Sequence, residues 1–374
     1  MVMKCKFSAR CGNCIGIEKN NEDLLKDKQK YVENIFKDIS LVNPIVNSYY
    51  PFKYRNKLQL GATQLKGKTL LGFFEEGSTK ITDIDGCILN GDWSYTLISI
   101  LREFMSRFKI RGYTISDGIL KYVHARCINN CLQLTLVTIT DNFPGKDWLY
   151  QKLKENFERV SLYLNINKRT DHAIFDNNFK FVAGDKFLKF DMCGVHVSIT
   201  PACFLQVNLS IAEKMYKKAM SYLDIGKDTT VIDLYSGIGI TSIMFARNCK
   251  NVISIEENYM SHKSAINMAK DNEVNNIKFY AGKCEDLLEK IDSTDDTVVF
   301  VDPARNGIEK SVLDKIKSIK PRKIVYMSCN PETCVRDLKY IVSDKMYIVS
   351  DISPYDMFSF TKHVEVLTCL QKQV

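Results

Sequence analysis

The chain carries a thiol and a carboxylate in settings that suit covalent chemistry. Lys323-Ile324-Val325-Tyr326-Met327-Ser328-Cys329-Asn330-Pro331 takes apolar and β-prone residues into a turn of Ser, Asn and Pro, so a buried strand is expected to end just before Cys329. Thr297-Val298-Val299-Phe300-Val301 is a second such run and leads into Asp302-Pro303-Ala304-Arg305. In an open α/β sheet, ligands bind outside the carboxyl ends of the strands, which places both groups on one rim. A free cysteine is commonly a small core hydrophobe. A thiol and a carboxylate at neighbouring strand ends, each locked by a proline, are instead the parts of an active site. Near the C-terminus, Thr361-Lys362-His363-Val364-Glu365-Val366-Leu367-Thr368-Cys369-Leu370 reads as a further strand. Glu365 stands there among apolar neighbours, where a carboxylate is costly unless paired or used.

A second set of thiols opens the chain. Cys5, Cys11 and Cys14 fall within Cys-Lys-Phe-Ser-Ala-Arg-Cys-Gly-Asn-Cys, and a C-x-x-C pair with Gly12 in a tight turn closes readily around a metal. A fourth ligand is required, and Cys87, in Ile84-Asp85-Gly86-Cys87-Ile88, is the best candidate. Four thiolates hold zinc or an iron–sulfur cluster. The spacing is not the C-x-x-x-C-x-x-C of radical enzymes, which sets that chemistry aside. Thirteen cysteines is an odd number in a large chain with no export signal, so metal binding and catalysis are expected rather than a disulfide framework. Cys193, Cys249 and Cys369 lie in apolar surroundings and read as structural.

A third constellation concerns a nucleoside. Thr229-Thr230-Val231-Ile232-Asp233-Leu234-Tyr235-Ser236-Gly237-Ile238-Gly239-Ile240 is a strand feeding a glycine turn and then a helix. Gly237 and Gly239 let the backbone approach a ligand closely. Ser242 stands where the third glycine of a dinucleotide fingerprint would fall, so a pyrophosphate cradle is poorly supported. The next strand, Val252 to Ile255, ends at Glu256, an acidic side chain about 20 residues beyond the turn and placed to accept from ribose hydroxyls. Asp233, the glycine turn and Glu256 fit a nucleoside with a positive charge and no phosphates. S-adenosylmethionine is such a ligand.

These residues need elements to hold them. At 374 residues the chain suits two or three domains. After Asp224, strands alternate with helices, the mark of a doubly wound α/β fold. From Leu58 to about Phe190 the pattern is short strands such as Leu70–Phe74, Leu132–Val137 and Lys186–Phe190, with helical pieces at Trp93–Phe108 and Trp148–Phe157. That predicts a mixed, largely antiparallel module. Glu22 to Ile39 reads as an amphipathic helix with Leu24, Leu25, Tyr31, Val32, Ile35 and Phe36 on its apolar face. Aromatic and basic residues interleave in Tyr49-Tyr50-Pro51-Phe52-Lys53-Tyr54-Arg55-Asn56-Lys57, the composition of a nucleic-acid surface or of a hairpin with a solvated basic face. A net charge of +8 permits a polyanionic partner without demanding one. No apolar run approaches a membrane span, so a cytoplasmic protein is expected.

Assembled, these motifs resemble those of bacterial RNA uracil-5-methyltransferases that use S-adenosylmethionine, in their ribosomal RNA branch, over nearly the whole chain. The resemblance rests on Asp302-Pro303-Ala304-Arg305-Asn306-Gly307, Ser328-Cys329-Asn330-Pro331 and His363-Val364-Glu365 in that order. Phe204-Leu205-Gln206-Val207-Asn208 and Tyr54-Arg55-Asn56-Lys57 add to it. Iron–sulfur members of the family carry three N-terminal cysteines and a fourth further on, as Cys5, Cys11, Cys14 and Cys87 do. With no room before Cys5 for the RNA-binding barrel of some members, the short form is expected; Ile240 replaces an asparagine found in others.

The resemblance implies a Rossmann-like methyltransferase domain with a seven-stranded doubly wound sheet over 196–374, and a smaller, mainly antiparallel α+β RNA-binding domain over 48–195. A helix over 21–47 would pack on the catalytic domain, and 1–20 would form a cysteine-cluster segment. C5 of uracil is too weak a nucleophile to take a methyl group directly, and a thiolate adding at C6 makes the ring an enolate whose C5 can attack the sulfonium. By resemblance Cys329 is that nucleophile and Glu365 the base for the C5 proton. Gln206, Tyr235, Glu256 and Asp302 would line the cofactor and base pocket, and the four cysteines would hold a 4Fe-4S cluster, with zinc as the alternative occupant. The expected partner is RNA, a uridine flipped from a loop of 23S ribosomal RNA, met by a monomer with no obligate protein partner. Alternatives are a transfer RNA uridine methyltransferase, a methyltransferase for cytosine C5, and a non-catalytic RNA-binding or assembly factor that would have lost Cys329 or Glu365.

Overall fold

The computed structural model describes residues 5–373 except 12, 16, 18, 19, 49, 116, 172 and 292–295. Gly12, expected in the tight turn of the C-x-x-C pair, and Tyr49, at the head of the basic aromatic stretch, lie outside the described residues. The chain divides into two compact units: Met1–Asn21 with Tyr50–Phe190 and Ser198–Ala202, and Glu22–Tyr49 with Asp191–Val197 and Cys203–Val374.

The first unit is built on β1 (Lys57–Leu65), β2 (Lys68–Phe74), β3 (Ile81–Asp83), β4 (Leu120–Ile128), β5 (Cys131–Thr138), β6 (Arg159–Ile166) and β7 (Phe179–Gly184). They form one sheet in the order β3-β2-β1-β4-β5-β6-β7. Every pair is antiparallel except β5–β6, whose crossover is the helix Lys146–Lys154, as a parallel connection requires. Alternation of period two sorts the faces. Leu132, Leu134, Val160 and Leu162 meet Leu97, Leu101 and Phe104 of the helix Asp92–Arg107, while the intervening Gln133, Thr135 and Ser161 are buried polar residues of the other face. A ribbon of β8 (Leu188–Met192) and β9 (Val195–Ile199) follows. Cys193 and Gly194, both at positive φ, make its turn, so Cys193 is a half-buried turn residue.

The second unit carries β10 (Thr230–Leu234), β11 (Asn251–Glu256), β12 (Ile277–Ala281), β13 (Thr297–Val301), β14 (Lys323–Ser328), β15 (Tyr347–Tyr355) and β16 (Glu365–Lys372). Their order is β12-β11-β10-β13-β14-β16-β15, the seven-stranded doubly wound sheet expected. The first five are parallel, and β16 runs antiparallel to both neighbours. Strand order reverses between β10 and β13, which opens a crevice at their carboxyl ends. All residues of β13 are buried, as a strand covered on both faces must be.

The helix Asn21–Phe36 belongs to this unit, and Val32 and Phe36 join its core beside Val299, Ile324 and Tyr326. Its buried stripe is Leu24, Lys28, Val32 and Phe36; Tyr31, expected on the apolar face, is 39% exposed. The last strand begins at Glu365, not Thr361. Residues 356–364 instead form the β15–β16 connection, in which Thr361 Oγ1 donates to the Phe358 carbonyl at 2.7 Å and accepts the His363 N–H at 3.2 Å. Among the described residues no helix is long and apolar enough to cross a membrane.

Candidate active site

Strand direction brings the reactive groups together. Asp302 follows β13 and Cys329 follows β14, while antiparallel β16 starts at the rim where the parallel strands end. Ser328 pairs with Val366 and Tyr355 with Glu365, so Cys329 and Glu365 leave adjacent strands at one level. Burial first, then the charges of Glu365 and Asp302, push the Cys329 thiol up to about 11; Arg305, which hydrogen-bonds the sulfur, pulls it down. Glu365 is 2% exposed, and burial together with Asp302 pushes it up to about 8. Asp302 is pushed up to about 7 by burial and by Asp233. Acids crowded in a dry site cannot all ionise at neutral pH, so protons are held here at positions where a reaction can use them.

The local sequence explains how Arg305 and Cys329 are fixed. Asn330 caps the helix Pro331–Val342 by accepting the Glu332 N–H at 3.2 Å, and Pro331 suits the first helical turn. The Asn330 amide also donates to the Arg305 carbonyl at 3.1 Å, as does Thr333 Oγ1 at 3.2 Å. The Arg305 guanidinium reaches His363 Nδ1 at 3.4 Å. The loop then turns through Gly307 at φ 78°, where a Cβ would stand 2.6 Å from Asp337 Oδ2 and 2.7 Å from Arg336 Nη2. Only glycine fits.

The expected nucleoside site lies at the ends of β10 and β11. Tyr235 adopts φ 60°, a conformation that costs free energy and recurs at ligand sites. Gly237 is also left-handed, and nothing lies within 4 Å of where its Cβ would be, so the turn is open on its ligand side. Glu256 accepts the Gly237 N–H at 2.8 Å and the Asn258 N–H at 2.6 Å, leaving lone pairs for hydroxyls. Ser242, in place of a third glycine, donates to Asp233 Oδ2 at 2.5 Å, and Thr241 donates at 2.8 Å. Asp233 Oδ1 is buried without a hydrogen-bond partner, an acceptor left over for a ligand. Gln206 is buried just ahead of Asn208, which caps the helix Leu209–Leu223 by accepting the Ile211 N–H. From that helix Tyr216 is buried within reach of the Asp302 and Glu365 charges.

In the other unit, Cys5, Cys11, Cys14 and Cys87 line one small pocket together with Ile17 and Arg55. Burial pushes Cys14 up to about 12, with Cys87, Cys11 and Cys5 adding to it and Arg55 opposing. Asn13 Nδ2 lies 3.2 Å from Cys11 Sγ, and the Asn90 and Leu89 amides donate to Cys87. The four thiols converge, although among the described residues no group of three or more His, Cys, Asp or Glu side chains is set to hold a metal ion.

The basic stretch is only partly a surface. Lys53 pairs with Asp92 at 2.8 Å in the open, whereas Arg55 turns to Tyr54 at 3.2 Å and to the thiols. Burial, Arg126 and Arg55 push Lys57 down. His124 is pushed far down by burial, Arg126 and Lys57, and its Nδ1 has no hydrogen-bond partner. The neighbouring charges that act on Lys57 and His124 are all positive. Sequence reading had no periodic signal for His124 and Arg126, because their partners are assembled by strand pairing. It also left Arg305 without a role, although that residue stood in the quoted Asp-Pro-Ala-Arg motif.

Comparison with known proteins agrees with this geometry. The profile of the tRNA (uracil-5-)-methyltransferase family matches residues 20–373. An uncharacterised RNA methyltransferase of Clostridium tetani is 32% identical, covering 97% of this chain and 81% of the relative. One of Oceanobacillus iheyensis is 31% identical, covering 95% of this chain and 80% of the relative. The crystal structure of Pyrococcus abyssi tRNA (uracil-54, C5)-methyltransferase in complex with S-adenosyl-L-homocysteine superposes with a TM-score of 0.78 at 27% identity, covering 94% of this chain and 84% of the other. The chain belongs to the tRNA (uracil-5-)-methyltransferase family and is an S-adenosylmethionine-dependent RNA methyltransferase.

Proposed function

We propose that the protein methylates C5 of a specific uridine in RNA through a covalent bond between Cys329 and C6. The observation that carries this is the thiol and the raised carboxyl on adjacent antiparallel strand ends, with Arg305 on the sulfur. S-adenosylmethionine supplies an electrophilic methyl group; Glu256, Tyr235, Gln206, the open face of Gly237 and the unmet acceptor of Asp233 would hold it, and Asp302 would line the same pocket. Cys329 reacts as the thiolate, its proton passing to solvent and its charge stabilised by Arg305; it adds to C6, and C5 takes the methyl group of S-adenosylmethionine, which leaves as S-adenosylhomocysteine. After methylation Glu365 takes the C5 proton, and Cys329 leaves as thiolate. With its affinity for protons raised to about 8, Glu365 is largely protonated at neutrality and takes the C5 proton in its ionised fraction, which is a stronger base than an exposed carboxylate.

Lys57 and Arg126, paired across neighbouring strands beside a neutral, buried His124, form a cationic group suited to an RNA phosphate. Cys5, Cys11, Cys14 and Cys87 would hold a 4Fe-4S cluster, or zinc, and so tie the N-terminal segment to its unit; amide donors to the sulfurs are the usual support of such sites. The resemblance of the Asp302–Gly307, Ser328–Pro331 and His363–Glu365 motifs to the ribosomal RNA branch favours 23S ribosomal RNA as substrate. The likeness to a tRNA uracil-54 enzyme favours the second reading, tRNA. Mapping 5-methyluridine in cellular RNA with and without the gene decides between them: one ribosomal site should be lost. Loss confined to tRNA supports the second reading, and no loss anywhere overturns both.

A further inference from the structure

We infer that Lys28, on the helix Asn21–Phe36, is a positioning residue that pins the loop presenting His363 and Glu365. Lys28 and Asp356 are 5% and 1% exposed and pair at 2.5 Å. A charged residue in the buried stripe of an amphipathic helix is unexpected, since burial alone pushes the ammonium down and only Asp356 restores it. The contacts are specific. Lys28 Nζ donates to Asp356 Oδ1 and, at 3.0 Å, to the Phe358 carbonyl, while Ser359 Oγ donates to Asp356 Oδ2 at 2.5 Å. One cation thus gathers the first residues of the 356–364 loop. That loop contains Phe360 at φ 61°, a strained conformation that persists only when its surroundings dictate it. Its far end carries His363, in contact with Arg305, and then Glu365. The segment before it is held as well, with the Asn43 and Val46 N–H groups donating to the Ile352 and Pro354 carbonyls.

A buried ion pair is weak evidence for stability, because desolvation offsets the attraction; its attested use is to fix one conformation. Here the conformation fixed is the one that aims the proposed base. The inference rests on the reading that Glu365 removes the C5 proton.

The test compares Lys28→Met, Asp356→Asn and the double variant with wild type and with Glu365→Gln, using the full chain, substrate RNA and S-adenosylmethionine. A displacement near 1 Å at a reacting group can cost about 10²-fold in rate. Both single variants should lose kcat on that scale at unchanged KM for RNA and cofactor. They should also accumulate RNA covalently attached to Cys329, because elimination slows more than addition. The double variant should be no worse than either single one, since both remove the same contact. A folded Lys28→Met enzyme with wild-type kcat would overturn the inference. So would activity lost only in proportion to unfolded protein, without adduct; if Lys28→Met fails to fold, Asp356→Asn and Ser359→Ala decide by the same readouts. Absence of adduct in Glu365→Gln itself would refute the catalytic reading instead.

Discussion

Glu365 should make the enzyme less stable than it could be, and by an amount that depends on pH. Its carboxyl is pushed from an ordinary 4.5 to about 8 in the folded protein, so the native state holds the proton more tightly than the unfolded chain does. The contribution of this group to stability is therefore full below pH 4.5 and is lost as pH rises to about 8. Linkage sets the slope at about 1.4 kcal/mol per pH unit within that window, or about 3 kcal/mol already lost at pH 7. A glutamine in its place would not titrate. Glu365→Gln should accordingly gain stability over wild type as pH rises from 5 to 8, by about 4 kcal/mol across the window, while Asp233 and Asp302 titrate in both proteins and largely cancel. Urea unfolding at a series of pH values measures the difference directly. Any constant offset from the amide's own hydrogen bonding leaves the slope untouched. Parallel curves for the two proteins, or a variant that loses ground as pH rises, would refute a proton held on Glu365 at neutrality.

Three further outcomes follow from the structure. Replacing Lys57 and Arg126 with methionine should weaken RNA binding and flatten its dependence on salt by about two counterions; an unchanged slope would make the cationic group purely structural. Protein purified without oxygen should be brown and contain iron, and Cys87→Ser should be colourless and melt lower in its N-terminal unit; stoichiometric zinc would exclude iron, and metal-free wild-type protein would exclude the site. Gly307→Ala should cost about 1–3 kcal/mol in urea unfolding because φ 78° is strained for alanine, and the clash with Asp337 should displace the Arg305 loop and lower kcat/KM. A neutral substitution would show that the loop has room the structure denies it.

Much of the candidate site's rim was legible in the sequence because buried parallel strands are continuous apolar runs, and Thr297–Val301 and Lys323–Ser328 each end at a proline turn that marks the rim. Glu365 was legible for the opposite reason, as a charge where only apolar residues belong. The error at Thr361–Val364 has the same root: Thr and Val suit strands, and nothing local signals that Phe360 turns left-handed. Lys28 was illegible. On a helix it reads as part of the polar face, and its partner Asp356 is 328 residues away. Arg55 and Lys57 read equally as a nucleic-acid surface or a solvated face, because sequence cannot show that Arg55, ahead of β1, lies beside the thiols or that Lys57, opening β1, stands opposite Arg126. Glu256 was singled out by its spacing, but the two backbone amides that orient it come from the fold.

The central claim is a covalent bond between Cys329 and uracil that Glu365 helps to break. RNA bearing 5-fluorouridine at the target position tests it, since fluorine cannot leave as the proton does. After incubation of the wild-type enzyme with that RNA and S-adenosylmethionine, digestion and mass spectrometry should find a methylated fluorouridine attached to the peptide containing Cys329, and nothing attached in Cys329→Ala. An adduct on another residue, or methylated fluorouridine released free from wild-type enzyme, would contradict the account.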